Sequence, residues 1–233
     1  MSAPIILAVD TRDFEVANRW IEATRESVSV FKLGLEFFLT FGAEGVNKIK
    51  ETHGVDIFLD LKLHDIPNTV GMAATAVSAI NPRFLTVHAA GGHAMVKAAV
   101  EAVPQIDITA VTILTSLSEE DLFEIGYANP ALESAVALAD LAVRAGAKAI
   151  VSSPLEIAAI RSSVGTDPII ITPGVRPAGS AGNDDQIRTM TPLAAISAGA
   201  NFVVIGRPIT GAWSKGEAAM SDAAKAIAQE ITG

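Results

Sequence analysis

The sequence predicts an α/β protein whose single domain, residues 1–233, folds as a (β/α)8 barrel, the TIM barrel architecture. Short apolar runs rich in β-branched residues alternate with Ala-rich segments of helical spacing along the whole chain. There are eight such runs, and alternating strands and helices pair in parallel through right-handed crossovers. A length of 233 residues suits one barrel. No linker or low-complexity segment divides it.

The elements follow one another regularly. The candidate strands are Ile5–Val9, Val28–Leu33, Asp56–Leu63, Phe84–His88, Ile108–Leu114, Ala147–Ser152, Pro168–Thr172 and Phe202–Gly206. The candidate helices between them are Phe14–Arg25, Thr69–Ala79, Ala94–Val103, Leu132–Ala145, Leu155–Ser163, Asp185–Ala198 and Gly216–Ile231. Gly146 and Gly199 are placed to end helices. A doubly wound open sheet is the alternative, but it more often has a glycine-rich turn after its first strand, and residues 10–13 contain no glycine.

Composition excludes several classes of function. The 17 Lys and Arg residues against 26 Asp and Glu give a net charge of −9, so we expect no nucleic acid partner and no association with an anionic membrane. The absence of cysteine excludes disulfides, thiol nucleophiles and thiolate metal sites. The apolar run Ala3–Val9 is too short for a signal peptide or membrane span, and we expect a cytoplasmic protein.

One predicted strand carries an unusual set of charges. Asp60 and Lys62 lie within the apolar run Asp56–Leu63, and Asp65 follows just before Pro67. Side chains of a strand alternate between its faces, so Asp60 and Lys62 share one face and the neighbouring leucines share the other. A buried charge is costly unless it is paired or used. Two interpretations are open: a structural ion pair, or a catalytic lysine held between carboxylates.

The predicted barrel brings further polar residues to the same place. Active sites of such barrels lie at the carboxyl ends of the strands. Those ends carry Asp10, Lys32, Asp60, Lys62, His88, Thr115, Ser152, Ser153, Gly206 and Arg207. Convergence at one end favours the catalytic interpretation, with Lys32, Asp60, Lys62 and Asp65 as an alternating string of charges. A second histidine at metal-ligand spacing from His88 is absent, so its role stays open between a ligand or base and a structural histidine.

The last two strands predict a phosphate site. Gly206 and Arg207 follow the eighth strand, where a glycine permits close backbone approach and a guanidinium suits a phosphate. Barrels frequently bind phosphate with the loops after strands 7 and 8. The loop after strand 7, residues 173–186, is long and contains Arg176 and Gln186, which predicts a lid. A mobile surface loop, with Arg207 in a surface ion pair, is the alternative.

These motifs resemble the orotidine 5′-phosphate decarboxylase family, of the bacterial type. The resemblance runs nearly end to end. It is carried by Leu7-Ala8-Val9-Asp10, Phe31-Lys32-Leu33-Gly34, Asp60-Leu61-Lys62-Leu63-His64-Asp65-Ile66-Pro67-Asn68-Thr69, Thr86-Val87-His88-Ala89-Ala90-Gly91-Gly92, Leu114-Thr115-Ser116, Pro173-Gly174-Val175-Arg176-Pro177 and Gly206-Arg207-Pro208-Ile209-Thr210. The central ten-residue block is the most specific.

The resemblance implies a function and a set of roles. The implied reaction converts orotidine 5′-monophosphate to uridine 5′-monophosphate and CO2, in pyrimidine biosynthesis, without metal or organic cofactor. Lys62 would stabilise and protonate the carbanion at C6, within a network of Asp60, Asp65 and Lys32. The implied substrate-binding residues are Asp10, Lys32, Asp60, Thr69, Thr115, Arg176, Gln186, Gly206 and Arg207. Asp65 and Thr69 would reach the active site of a neighbouring subunit, which implies a homodimer with shared sites.

Two other functions remain open at this point. The related sugar-phosphate branch, 3-keto-gulonate-phosphate decarboxylase or hexulose-phosphate synthase, shares an Asp-x-Lys-x-x-Asp motif but uses Mg²⁺. Its members would differ in the Ile66–Thr69 continuation and in the long loop from Arg176 to Gln186. The second alternative is a barrel that binds a phosphate ligand without catalysis, with the charges as structural pairs. Lys62 between two carboxylates argues against a simple binding protein.

Overall fold

The computed structural model of the chain describes residues 2–177 and 190–233, and it confirms the predicted barrel. The eight strands close in chain order, β1 to β8, and each neighbouring pair is parallel. The strands are β1 Ala3–Ala8, β2 Val28–Gly34, β3 Asp56–Leu63, β4 Phe84–His88, β5 Asp107–Val111, β6 Ala149–Val151, β7 Ile169–Thr172 and β8 Phe202–Ile205. β5 ends earlier than predicted, so Thr115 lies in the loop that follows it.

The helices surround the barrel. Within the described residues they are α1 Phe14–Thr24, α2 Leu35–His53, α3 Pro67–Val77, α4 His93–Ala102, α5 Glu119–Glu124, α6 Ala131–Arg144, α7 Ile157–Val164, α8 Pro192–Ser197, α9 Arg207–Thr210 and α10 Glu217–Thr232. None of them is long and apolar enough to cross a bilayer.

Four helices differ from the prediction. The sequence did not predict α2, α5 or α9, and α2 is interrupted by Gly42, whose φ of 64° is not helical. The predicted helix Asp185–Ala198 is wrong at residues 190 and 191, which precede α8. Thr191 is extended and accepts a hydrogen bond from the Ala194 amide, and Pro192 begins α8. Residues 185–189 of that prediction lie outside the described residues.

The core has an inner and an outer part. Inside the barrel, the buried residues are Ile6, Val30, Phe58, Phe84, Ala149 and Ile171. The larger cluster lies between the strands and the helices. At the amino-terminal end of the barrel, the Arg83 guanidinium lies 5.0 Å from the ring centroids of both Phe84 and Phe202 and pairs with Asp56 at 3.2 Å. This packing fills one end of the barrel, so a ligand must enter at the other.

Arg161 joins three segments near the start of β7. Its Nε donates to the Gly199 carbonyl at 3.0 Å, and its Nη1 donates to the Pro168 carbonyl at 2.6 Å. Nη2 bonds the Asn201 side chain, whose Oδ1 also accepts from the Ile170 amide at 2.8 Å. The guanidinium therefore satisfies carbonyls that no helix or strand would satisfy.

We expect Arg161→Met to lower the free energy of unfolding by about 2 kcal/mol or more, because hydrogen bonds to a charged group are lost and carbonyls are left without a donor. Urea denaturation followed by circular dichroism measures the change. The matched control is Arg144→Met, which removes an exposed pair with Asp140 and should change stability by less than about 0.5 kcal/mol. Equal effects of the two substitutions would contradict this role of Arg161.

Candidate active site

The carboxyl ends of the strands surround a cavity of about 260 Å³. One wall is charged and is formed by Lys32, Asp60 and Lys62. The remaining lining residues, most of them apolar, are Phe58, Val111, Ile113, Leu114, Thr115, Ser116, Val151, Pro173 and Val204. A small ligand in this cavity would place one edge against an ammonium group and its body against apolar side chains.

A string of alternating charges forms the charged wall. Lys62 Nζ donates to both carboxylate oxygens of Asp60, at 2.9 and 2.8 Å. Lys32 Nζ lies 3.6 Å from Asp60 Oδ2 and donates to Asp10 Oδ1 at 3.2 Å. Gly34 leaves room for this contact, since a Cβ there would lie 3.1 Å from Lys32 Nζ. The structure thus brings together four of the predicted residues, from the ends of three neighbouring strands.

Two opposing influences set the pKa of Asp60: burial, and the charges and hydrogen bonds of its neighbours. Burial is the largest single influence and raises the pKa of the carboxyl. The charges of Lys32 and Lys62, with hydrogen bonds from Lys62 and Thr86, act in the opposite direction and leave the pKa below its ordinary value. Asp60 is therefore ionised at neutral pH, although its side chain is only 11% exposed.

The backbone of β3 is irregular at Lys62. Leu59 pairs with Leu85 and Leu63 pairs with Val87, so the register between β3 and β4 shifts across Lys62. Lys62 has a φ of 49°, in the left-handed region, a conformation that costs on the order of 1–3 kcal/mol in a residue other than glycine. Such bulges re-aim side chains beside active sites. The predicted shared face of Asp60 and Lys62 is confirmed, with this local departure from a regular strand.

Thr86 on β4 contacts both residues of the central pair. Its hydroxyl accepts a hydrogen bond from the Lys62 amide at 2.8 Å and donates one to Asp60 Oδ1 at 3.0 Å. Sequence reasoning did not assign Thr86 a role. The available signal was its position two residues before His88 in an apolar strand, which places both residues on the inward face. The apolar wall of the cavity was also not predicted.

His88 ends β4 beside this cluster, with its ring centroid 5.3 Å from that of His64. Burial lowers the pKa of His88, and His64 and Lys62 lower it further, while Asp60 acts in the opposite direction. His88 is therefore neutral at neutral pH and adds no second cation beside Lys62.

Asp65 does not belong to the string of charges within one chain. It is exposed, and its Oδ1 accepts a hydrogen bond from the Ile66 amide at 2.6 Å. Among the residues that the structure describes, none forms an ion pair with its carboxylate. Thr69, in the first turn of α3, is exposed as well. The predicted string with Asp65 is thus corrected to Asp10, Lys32, Asp60 and Lys62 for a single subunit, because the chain turns outward after Leu63.

Of the predicted phosphate residues, Arg176, Gly206 and Arg207 are in the described part of the chain, and none of these three lines the cavity. Gly206 precedes α9 and Arg207 begins it, with the Gly206 carbonyl accepting from the Ile209 amide at 2.8 Å. Arg176 follows an isolated bridge between Val175 and Met190, and its amide donates to the Met190 carbonyl at 2.9 Å. Residues 178–186 of the predicted lid, Gln186 among them, lie outside the described residues. The phosphate site therefore stays a prediction.

Comparison with known proteins gives the family. The family model described as "Orotidine 5'-phosphate decarboxylase / HUMPS family" matches residues 3–221. An orotidine 5′-phosphate decarboxylase of Thermobifida fusca (strain YX) is 52% identical over 225 residues, which cover 97% of this chain and 96% of the relative. One of Frankia casuarinae is 45% identical over 240 residues, covering 95% and 87%. The crystal structure of an orotidine 5′-phosphate decarboxylase from Lactobacillus acidophilus superposes with a TM-score of 0.84 at 33% identity, over 100% of both chains. This chain therefore belongs to the orotidine 5′-phosphate decarboxylase / HUMPS family.

Proposed function

We propose that this protein decarboxylates orotidine 5′-monophosphate to uridine 5′-monophosphate in pyrimidine biosynthesis, without a metal or organic cofactor. The observation that carries the proposal is the Lys62 ammonium, held by Asp60 at the edge of an apolar cavity. The names and high identity of the relatives over nearly the whole chain support the substrate. A cytoplasmic location stays a prediction from the sequence.

Lys62 would supply the central chemistry. When the bond between C6 and the carboxylate breaks, CO2 leaves and the electron pair stays on C6 of the pyrimidine. A fixed ammonium stabilises that charge in a cavity lined mostly by apolar side chains. Lys62 Nζ then transfers a proton to C6, which forms the C–H bond of the product, and the neutral amine regains a proton from solvent. The Lys62 ammonium is thus both the stabilising cation and the proton donor, so no second group has to move to C6 during the reaction.

Asp60 would hold Lys62 in place, with Lys32 on the other side of the same carboxylate. Two lysines beside one carboxylate fix three charges in a small volume, and a preorganised arrangement of this kind needs little reorganisation when charge develops on the substrate. We place the substrate carboxylate near Asp60, where both are anionic. Its departure as CO2 removes that repulsion.

The remaining residues would bind the nucleotide. We assign the ribose hydroxyls to Asp10 and Lys32, with Thr69 contributed by a partner subunit. The pyrimidine would contact Thr115, which lines the cavity. The phosphate would be bound by Arg176, Gln186, Gly206 and Arg207. Binding energy at the phosphate can then orient C6 against Lys62.

A homodimer with shared active sites accounts for Asp65 and Thr69. Both are exposed in the single chain, on a segment that also exposes Ile66, at 66%, and Met72, at 63%. Leu39 of α2 is 80% exposed. Large apolar side chains beside polar site residues are typical of a surface that a second subunit covers. We propose that this segment enters the partner's site, where Asp65 would complete the charge string next to Lys62.

Replacing Lys62 by Ala should lower kcat by about 10⁴-fold or more, because the cation and the proton donor are lost together. The decrease of orotidine 5′-monophosphate absorbance measures turnover, and circular dichroism checks the fold. Lys97→Ala is the matched control, since Lys97 is an exposed lysine that pairs only with Glu101 on its own helix among the described residues. Substantial activity of Lys62→Ala would contradict the proposed role.

Turnover should continue at an unchanged rate in excess chelator, since the proposed chemistry uses no metal ion. The measurement compares initial rates on orotidine 5′-monophosphate before and after dialysis against chelator. Loss of activity that returns with Mg²⁺ would instead favour the sugar-phosphate branch of the family. The absence of turnover under either condition would favour a binding protein.

Mixing two inactive variants tests the shared site. Lys62→Ala and Asp65→Ala homodimers each lack one component of every site, whereas a heterodimer of the two has one complete site. Unfolding and refolding an equal mixture should restore about a quarter of the wild-type activity, if subunits exchange at random. Activity that stays at the level of the separate variants, in a sample shown by sedimentation to contain dimers, would contradict sharing of Asp65.

A further inference from the structure

We propose that Thr86 is a positioning residue of this active site, which orients the Asp60 carboxylate and fixes the backbone of Lys62 through one hydroxyl group. The inference rests on the proposed function, since it assigns Thr86 a part in presenting the Lys62 ammonium to the substrate.

The hydroxyl uses both of its hydrogen-bonding capacities on the central pair. Thr86 is fully buried, on the inward face of β4. Its Oγ1 accepts from the Lys62 amide at 2.8 Å, so its proton is available for the bond to Asp60 Oδ1 at 3.0 Å. The same carboxylate oxygen accepts from Lys62 Nζ at 2.9 Å. Thr86, Asp60 and Lys62 therefore form a closed ring of three hydrogen-bonded contacts.

The irregular strand explains why a side chain is needed there. In a regular parallel ladder, backbone carbonyls accept the amide hydrogens of the neighbouring strand. The register shift between Leu59 and Leu63 interrupts that ladder at Lys62, which has a φ of 49° and whose amide donates to the Thr86 hydroxyl instead. A buried amide without an acceptor is costly. The Thr86 hydroxyl supplies the acceptor and thereby holds the conformation that directs the lysine side chain to Asp60.

The Thr86 hydroxyl differs from the other groups near Asp60 because it is uncharged and its side chain is short and stiff. The charged and titratable groups that face Asp60 are Lys32 from β2, Lys62 from β3 and His88 from β4, with His64 beside His88. The lysines have long, flexible side chains. Thr86 has one side-chain torsion, which its β-branched carbon restricts. A short, uncharged donor from a neighbouring strand fixes the direction of the carboxylate more firmly than a lysine can.

Three substitutions separate the hydroxyl from the shape of the side chain. Thr86→Val keeps the branched shape and removes the hydroxyl, whereas Thr86→Ser keeps the hydroxyl. Thr109→Val is the matched control. Thr109 is a fully buried threonine opposite Thr86 on β5, and its hydroxyl bonds only the Asp107 carbonyl of its own strand among the described residues.

We expect Thr86→Val to lower kcat by about 10- to 100-fold, with KM changed by less than about threefold, because the reacting group is displaced while the phosphate and ribose contacts remain. Loss of the bond to ionised Asp60 should also raise the pKa of that carboxyl, so the acid limb of the kcat against pH profile should move to higher pH. Thr86→Ser should recover most of kcat, and Thr109→Val should match the wild type.

Two results would overturn the inference: wild-type kcat and acid limb in Thr86→Val, or equal impairment in Thr86→Ser and Thr86→Val. If Thr86→Val does not fold, the pair Thr86→Ser and Thr86→Ala makes the same comparison, and equal kcat of those two would overturn it. Activity in Lys62→Ala would instead contradict the proposed function itself. An inactive Lys62→Ala beside an unimpaired Thr86→Val would contradict only the role of Thr86.

Discussion

The ionised Asp60 carboxylate, buried between two lysines, is the interaction on which the site depends. A carboxylate in this position is unfavourable by itself, because burial favours its neutral form. Lys32 and Lys62 reverse that preference, and the carboxylate lies between the two ammonium groups, 3.6 Å from Lys32 Nζ and 2.8 Å from Lys62 Nζ. Removing Asp60 alone would leave Lys62 without its carboxylate partner, which is far more costly than removing the whole group. The cluster therefore acts as a unit.

The barrel makes such a cluster possible. Its strands bring Lys32, Asp60 and Thr86 from three neighbouring segments of the chain to one edge, where the carboxyl ends of parallel strands meet. The interior below is filled by aromatic and aliphatic side chains, and Arg83 covers the opposite end. Asp60 is buried above this core, where its charge is screened less by water than at the surface, which strengthens its interaction with the neighbouring lysines.

The periodicity of the sequence was sufficient to predict the fold and the shared face of Asp60 and Lys62. Because active sites of such barrels lie at the carboxyl ends of the strands, the sequence also predicted that Asp60 and Lys62 lie near Asp10 and Lys32. Other features depend on tertiary structure that periodicity does not encode. The left-handed backbone of Lys62 arises from a register shift between two strands, and the role of Thr86 follows from that shift. Asp65 lies in the same sequence motif as Lys62, yet the chain turns outward before it, so its carboxylate is exposed and apart from the charge string of its own chain.

A crystal structure with an unreactive analogue of uridine 5′-monophosphate would show whether Lys62 can act on C6. We expect Lys62 Nζ to lie about 3–3.5 Å from C6 of the pyrimidine, the separation expected of reacting groups. We also expect Asp60 and Thr86 to keep the contacts described above. A pyrimidine ring bound with C6 directed away from Lys62, or a Lys62 side chain turned out of the cavity in the complex, would contradict the account.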